Sequence, residues 1–184
     1  MKSRVRTVRE VNPEIAAPVI GALVTALGIL FALAGTSKLL RPAAFGSSLR
    51  ALTGLPSQLV PVTAVSVATA EIVGGVGLIL GHPAGAIAML LVIAATTIVA
   101  SVAVARRQVV PCECLGARLG QRMSSATILR NLCFAGIATL PLMAPATTAT
   151  TPVFLAGVAV LMFYMGFEWW AGTVARRARR GRLP

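Results

Sequence analysis

Two cysteines separated by one residue are the clearest candidates for chemistry in this sequence. Cys112 and Cys114 lie in the stretch VPCECLG, a short basic connection between two long apolar segments. A disulfide across one intervening residue would close a small, strained ring, and strain makes a disulfide more oxidising. The spacing therefore indicates either a redox dithiol or a pair of reduced cysteines that perform no chemistry.

Nearby charges act on this pair in opposite directions. Arg106, Arg107 and Arg118 would favour the thiolate, the reactive form of cysteine, whereas Glu113 between the two sulfurs would oppose it. Cys133 would serve as a third, resolving thiol if the span that follows packs against the connection. Metal binding is not favoured, because a closed zinc site commonly takes its ligands from two spaced pairs and the single histidine is predicted on the opposite face.

The composition predicts a polytopic membrane protein. The chain has 184 residues, of which 57% are hydrophobic and 12% are charged, whereas a soluble domain carries about 25% charged residues. No segment is both long and polar enough to form a large soluble domain. The net charge of +12 comes largely from clusters that flank apolar segments, without the interleaved aromatic residues of a nucleic-acid surface, so nucleic-acid binding is not expected.

The apolar segments predict an all-α fold, a bundle of about five transmembrane helices in the lipid bilayer. Each segment is close to or longer than the roughly 20 residues that cross the hydrocarbon layer. The predicted spans are residues 15–40, 59–80, 84–105, 126–143 and 152–174. Residues 43–58 predict a short amphipathic helix on the interface, and residues 1–14 and 175–184 form a basic lead and a basic tail.

Four polar residues within these spans are candidate supports of the bundle. Glu71 lies near the middle of the second span, where a carboxylate is costly; it is either a functional group facing the interior or a hydrogen-bonded structural contact. Lys38, at the end of the first span, is expected to extend to the lipid headgroups. Arg130 is either an interface anchor or a cation directed at the cysteine connection, and Asn131 follows it.

The distribution of positive charge predicts the orientation in the cell membrane. With five spans, one face carries 13 of the 17 lysines and arginines and the other face carries the remaining 4, all in the N-terminal lead. The positive-inside rule then places the C-terminus and the cysteine connection on the cytoplasmic side.

Three motifs follow one another along the chain. They are Gly35-Thr36-Ser37-Lys38-Leu39 with Phe45, Glu71 with the glycines after it, and Cys112-Glu113-Cys114-Leu115-Gly116 before Arg130-Asn131. In this order they resemble the methylamine utilisation protein MauE family, within the wider DoxX-like group of small redox-associated membrane proteins. The likeness runs over most of residues 16–143, with Leu115 where the usual pattern has Phe.

The resemblance implies a four-helix core plus one helix, and a role beside a thioredoxin-like partner in forming disulfides of an exported protein. In the type case that client is the methylamine dehydrogenase small subunit. Carried over by position, Cys112 and Cys114 would be the redox pair. An exported client conflicts with a cytoplasmic connection, unless the pair collects electrons on one side of the membrane for delivery to the other.

Three functional hypotheses follow. The first is a thiol–disulfide oxidoreductase component in which Cys112 and Cys114 exchange and Cys133 relays. The alternative is a small carrier or quinone-linked membrane subunit in which Glu71 handles protons or substrate, although no cofactor motif is evident in the sequence. The third is a purely structural partner.

Overall fold

The computed structural model describes residues 13–107, 124–143 and 150–180, and these residues form helices with no strand among them. Four long helices form most of the described chain, a shorter helix follows the first of them, and a last helix ends the described chain at Arg180. The helices are α1 (Pro13–Leu40), α2 (Pro42–Thr53), α3 (Val60–Ile79), α4 (Pro83–Ala105), α5 (Ser125–Met143) and α6 (Thr151–Arg180).

Four of the helices form a closed bundle. α1 packs against α3, α3 against α4, α4 against α5, and α5 against α1, while α6 packs on the outer side of α1. Helices that follow one another are antiparallel, whereas α6 runs parallel to α1, since Gly157 lies against Thr25 and Leu161 clusters with Leu30. The end of the bundle where α1 and α4 finish and α3 and α5 begin is called the α2 end.

Small residues bring α1 and α3 into backbone contact. A Cβ atom added at Gly28 would lie 2.6 Å from the carbonyl oxygen of Gly75, and one added at Gly35 would lie 2.6 Å from that of Ala68. No side chain larger than hydrogen fits at these positions without separating the helices. Close approach through glycine is how helices associate where apolar surface gains nothing from leaving water, as in a membrane.

The turn between α3 and α4 is fixed by local chemistry. Gly81 adopts a φ of 69°, a left-handed conformation that suits glycine. His82 then caps α4, because its Nδ1 accepts a hydrogen bond of 3.2 Å from the backbone N–H of Ala84. The single histidine of the sequence therefore has a local structural role.

The bundle has the dimensions and surface of a multi-pass membrane protein. Four helices are long and apolar enough to cross a membrane: Ala16–Leu40, Val60–Ile79, Pro83–Ala105 and Ser125–Met143. Large apolar side chains such as Leu91, Ile98 and Phe163 are more than 60% exposed on the outside, as expected for surface that faces lipid. The predicted all-α membrane bundle, with a short helix after the first span, is confirmed. The fifth span stays a prediction, because the apolar part of α6 among the described residues is Thr151–Phe167.

Candidate functional site

A buried ion pair joins α1 to α3 near the α2 end. Nζ of Lys38 donates a hydrogen bond of 2.6 Å to Oε1 of Glu71 and also contacts Oε2. Lys38 is only 5% exposed and Glu71 only 2%. The expectation that Lys38 extends to the lipid headgroups is therefore wrong: the nearby carboxylate holds the ammonium group inside the bundle.

The two side chains meet because they lean toward each other. Gly35 faces Ala68, so Lys38 lies about six residues, or about 9 Å along the axis, from the level of Glu71. Helical side chains point toward the N-terminus of their own helix. In an antiparallel pair, the Lys38 side chain therefore points deeper into the bundle and the Glu71 side chain points back toward the α2 end.

α2 packs over the ion pair on the side of α3. It begins at Pro42, which suits the first turn of a helix, and ends at Thr53, where Gly54 caps it with a left-handed φ of 69°. The ring of Phe45 lies under the ammonium group of Lys38, with Nζ 5.3 Å from the ring centroid. An aromatic face attracts a cation at this distance, so α2 contributes to holding the lysine in place.

A cavity of about 470 Å³ opens beside the ion pair, between α2, α3, α4 and the start of α5. Its walls are mostly apolar, including Leu49 and Leu52 of α2 and Val99 of α4. Lys38 and Glu71 form part of its lining, as does Asn131 of α5. The cavity therefore combines an apolar interior with a few buried polar groups, the usual composition of a small-molecule site.

Asn131 and Arg130 have different surroundings at the start of α5. Nδ2 of Asn131 donates to the hydroxyl oxygen of Thr97 at 3.2 Å and to that of Thr96 at 3.5 Å, which joins α5 to α4. The guanidinium of Arg130 lies over the ring of Phe134, 5.9 Å from its centroid. Asn131 is a buried interhelical contact, whereas whether Arg130 acts on the cysteine connection stays a prediction.

One of the three cysteines, Cys133, lies among the described residues. Cys112 and Cys114 lie outside the described residues, in the chain between Arg107 and Ser124. Cys133 is a free thiol, exposed on α5, about 12 Å along the axis from the start of the helix. It lies two residues, or about 200° around the helix, from buried Asn131, so it faces away from α4.

The glycine, lysine and glutamate motifs that the sequence indicated meet mostly at the contact between α1 and α3. Gly35 and Lys38 lie one turn apart on α1 and face α3, where Glu71 and Gly75 face back. Gly74 turns to α4, where an added Cβ would lie 2.7 Å from the sulfur of Met89. The sequence indicated each motif but missed the pairing of Lys38 with Glu71. The available signal was that one span contains a carboxylate and the preceding span ends with a lysine.

Comparison with known proteins identifies a family for the chain. The family model described as "Methylamine utilisation protein MauE" matches residues 16–144, which include α1 from Ala16 onward, all of α2 to α5 and the cysteine connection. No curated protein and no solved structure matches the chain. Since the match covers most of the sequence, this chain is a membrane protein that belongs to the MauE family.

Proposed function

We propose that this protein is the membrane component of a thiol–disulfide exchange system that supports maturation of an exported, disulfide-containing protein. Cys112 and Cys114 form the exchanging pair. A thioredoxin-like protein is the direct partner, and the methylamine dehydrogenase small subunit represents the class of client that the family name suggests.

One observation carries this proposal: the Cys-x-Cys connection is attached at both ends to a packed helix pair at the α2 end. α4 ends at Ala105 and α5 begins at Ser125, and the two helices contact each other along the bundle. Arg106 and Arg107, next to the connection, are exposed at this end. Positive charge beside a thiol favours the thiolate, which is the form that attacks a disulfide.

The orientation in the membrane belongs to the same proposal. Within the described residues, Arg41, Arg50, Arg106 and Arg107 all lie at the α2 end. The excess of positive charge at that end favours its placement in the cytoplasm, together with the C-terminus. In this orientation the cysteine pair collects or delivers electrons on the cytoplasmic side, while the client matures on the other side.

Cysteine substitution tests the proposal directly. We expect Cys112→Ser and Cys114→Ser each to abolish client disulfide formation, while the protein still inserts at wild-type levels. Non-reducing gels of the client provide the measurement. Glu113→Gln is the matched control, because it changes the same connection but keeps both sulfurs, and it should leave client maturation intact.

Normal client disulfides in both cysteine variants would refute the proposal. Labelling of Cys112 and Cys114 with an impermeant thiol reagent, applied from each side of the membrane, tests the orientation separately. Cys133→Ser tests the relay role, which predicts a slower exchange rather than a complete loss.

The carrier hypothesis needs a sharper test than substitution of Glu71 alone. Glu71→Gln would leave the Lys38 ammonium buried without its counter-charge, which destabilises a protein whatever its function. The doubly neutral variant Lys38→Met/Glu71→Leu removes both charges together. Thiol exchange with reduced thioredoxin in detergent should survive this change, whereas a carrier that uses Glu71 should lose transport.

A further inference from the structure

We propose that the cavity between α2, α3, α4 and α5 binds a lipid-soluble quinone, with the quinone ring at the Lys38–Glu71 pair. This inference rests on the proposed function, because thiol exchange that produces disulfides must pass electrons to an acceptor. The site itself consists of described residues only, and its ability to bind a quinone can be measured independently of the cysteines.

The shape of the cavity fits an amphipathic ring compound. Its volume is about 470 Å³, within the range of roughly 300–1,000 Å³ that holds small-molecule ligands. The walls are aliphatic side chains of α2, α3 and α4 with the ring of Phe45, and they suit an apolar ring and the first units of its tail. The tail can leave between helices whose outer surfaces face lipid.

The polar groups supply what a quinone requires. An ammonium group has three N–H donors, and the Glu71 carboxylate engages Nζ of Lys38 through both oxygens, so a further N–H can donate to a quinone carbonyl. That donor would also stabilise the negative charge that develops on the carbonyl oxygen during reduction. After reduction the oxygen is a hydroxyl, which can donate to the carboxylate of Glu71.

The buried charges argue against a lipid acyl chain as the intended ligand. Lys38, Glu71 and Asn131 are each more than nine-tenths buried, and all three line this cavity. A methylene chain offers no acceptor for the N–H of Lys38 that Glu71 does not engage, and a donor left beside hydrocarbon alone is costly. A quinone carbonyl gives that N–H an acceptor.

The location fits electron transfer from the proposed dithiol. The lining of the cavity comes from the last turn of α1, α2, α3 from Thr63 to Glu71, α4 from Leu91 to Ala100 and the start of α5. These segments lie at the α2 end, to which the cysteine connection is attached. In one turnover two thiols become one disulfide, and the two electrons and two protons released convert one quinone to one quinol.

Cavity filling tests this inference. Decylubiquinone is titrated into the full-length protein in detergent, and binding is measured by calorimetry. Ala95 and Ala94 are neighbouring, exposed alanines of α4, of which Ala95 lines the cavity and Ala94 lines a groove between α4 and α5 instead. Ala95→Phe should weaken quinone binding about tenfold or more, whereas the matched control Ala94→Phe should bind as the wild type does.

A second titration separates quinone recognition from apolar filling. Decylbenzene has the same alkyl chain and a ring without carbonyl groups, and it should bind much more weakly than decylubiquinone. Equal affinity for the two compounds would overturn the inference, because the cavity would then be a site for lipid chains. Unchanged quinone binding in Ala95→Phe, or no binding by the wild type, would overturn it as well.

The outcome also separates this inference from the proposed function. Cys112→Ser should bind decylubiquinone with wild-type affinity but should no longer reduce it when reduced thioredoxin is supplied. If the wild type binds no quinone while the cysteine variants still block client maturation, the inference fails and the thiol exchange function stands. If the cysteine variants mature the client normally while Ala95→Phe loses quinone binding, the proposed function fails and the quinone site stands.

Discussion

The α1–α3 contact and the α4–α5 contact join antiparallel helices at the same end of the bundle, but they are built from different chemistry. In the first, glycines bring the backbones together and a buried ion pair joins the helices. In the second, Asn131 donates neutral hydrogen bonds to two threonine hydroxyls. The first contact is a close backbone approach with a charged pair, and the second is held by neutral hydrogen bonds.

This difference suggests that the two helix pairs around the cavity differ in rigidity. Removing one charge of a buried pair is strongly destabilising, so α1 and α3 form a fixed wall. Neutral hydrogen bonds between membrane helices average only about 0.6 kcal/mol, so α4 and α5 can adjust at smaller cost. The cysteine connection joins the adjustable pair of helices. This attachment lets the cysteine pair move when it meets a partner protein. The wall of the cavity formed by α1 and α3 keeps its shape meanwhile.

The largest effect is expected from breaking the charged contact. Lys38→Met leaves the Glu71 carboxylate buried without its partner and should destabilise the protein by about 3–5 kcal/mol. Reversible unfolding in mixed micelles containing SDS measures the change in free energy. The doubly neutral Lys38→Met/Glu71→Leu variant is the control, and it should recover most of the loss because no unpaired charge remains. A single variant as stable as the wild type would contradict the buried charged contact.

The pairing of Lys38 with Glu71 is the part of the site that the sequence does not predict. Hydropathy identified the long helices, because about 20 apolar residues in succession have few alternatives to a membrane span. The sequence also placed Glu71 inside the second of them. Whether Lys38 extends outward or pairs inside the bundle depends on which helices are neighbours and on their offset along the axis. Neither follows from the composition of one helix. A lysine at the end of an apolar segment has the same local sequence whether it extends to headgroups or pairs inside the bundle.

The cavity shows a second limit of the same kind. Its lining comes from five helices, and most of these side chains are ordinary apolar residues. Only Glu71 stood out from the sequence as a candidate for substrate chemistry, because a carboxylate inside a span is costly. A space between helices arises from their crossing and from the position of α2, so no periodicity in a single segment indicates it.

A smaller effect is expected from separating α1 and α3 without touching a charge. The Cβ of Gly35→Ala would lie 2.6 Å from the carbonyl oxygen of Ala68 and 3.1 Å from Cβ of Glu71. The helices must move apart, at a cost of about 1–3 kcal/mol. Gly136→Ala in α5 is the matched control, because nothing lies within 4 Å of an added Cβ there. Equal stability of the two variants in the same unfolding assay would contradict the close approach of α1 and α3.

The smallest effect is expected at the neutral contact, where a double-mutant cycle gives the sharpest comparison. Asn131→Leu removes the hydrogen-bond donor. Thr97→Val removes the hydroxyl acceptor and keeps nearly the same side-chain shape. Thr97 also donates to the backbone carbonyl of Ile93 at 2.6 Å, so each single variant loses more than the shared bond. The cycle isolates the pairwise part.

That pairwise part should be about 0.6 kcal/mol and no more than about 1.7 kcal/mol, measured by the same reversible unfolding. A coupling of several kcal/mol would make the α4–α5 contact as strong as the α1–α3 contact. The distinction between a fixed and an adjustable wall would then be lost. A coupling within the expected range implies that substitutions at the two contacts should also differ in their effect on function. Client maturation should then tolerate Asn131→Leu better than Gly35→Ala, even though Asn131 lies closer along the chain to the cysteine connection, because the wall formed by α1 and α3 sets the shape of the cavity.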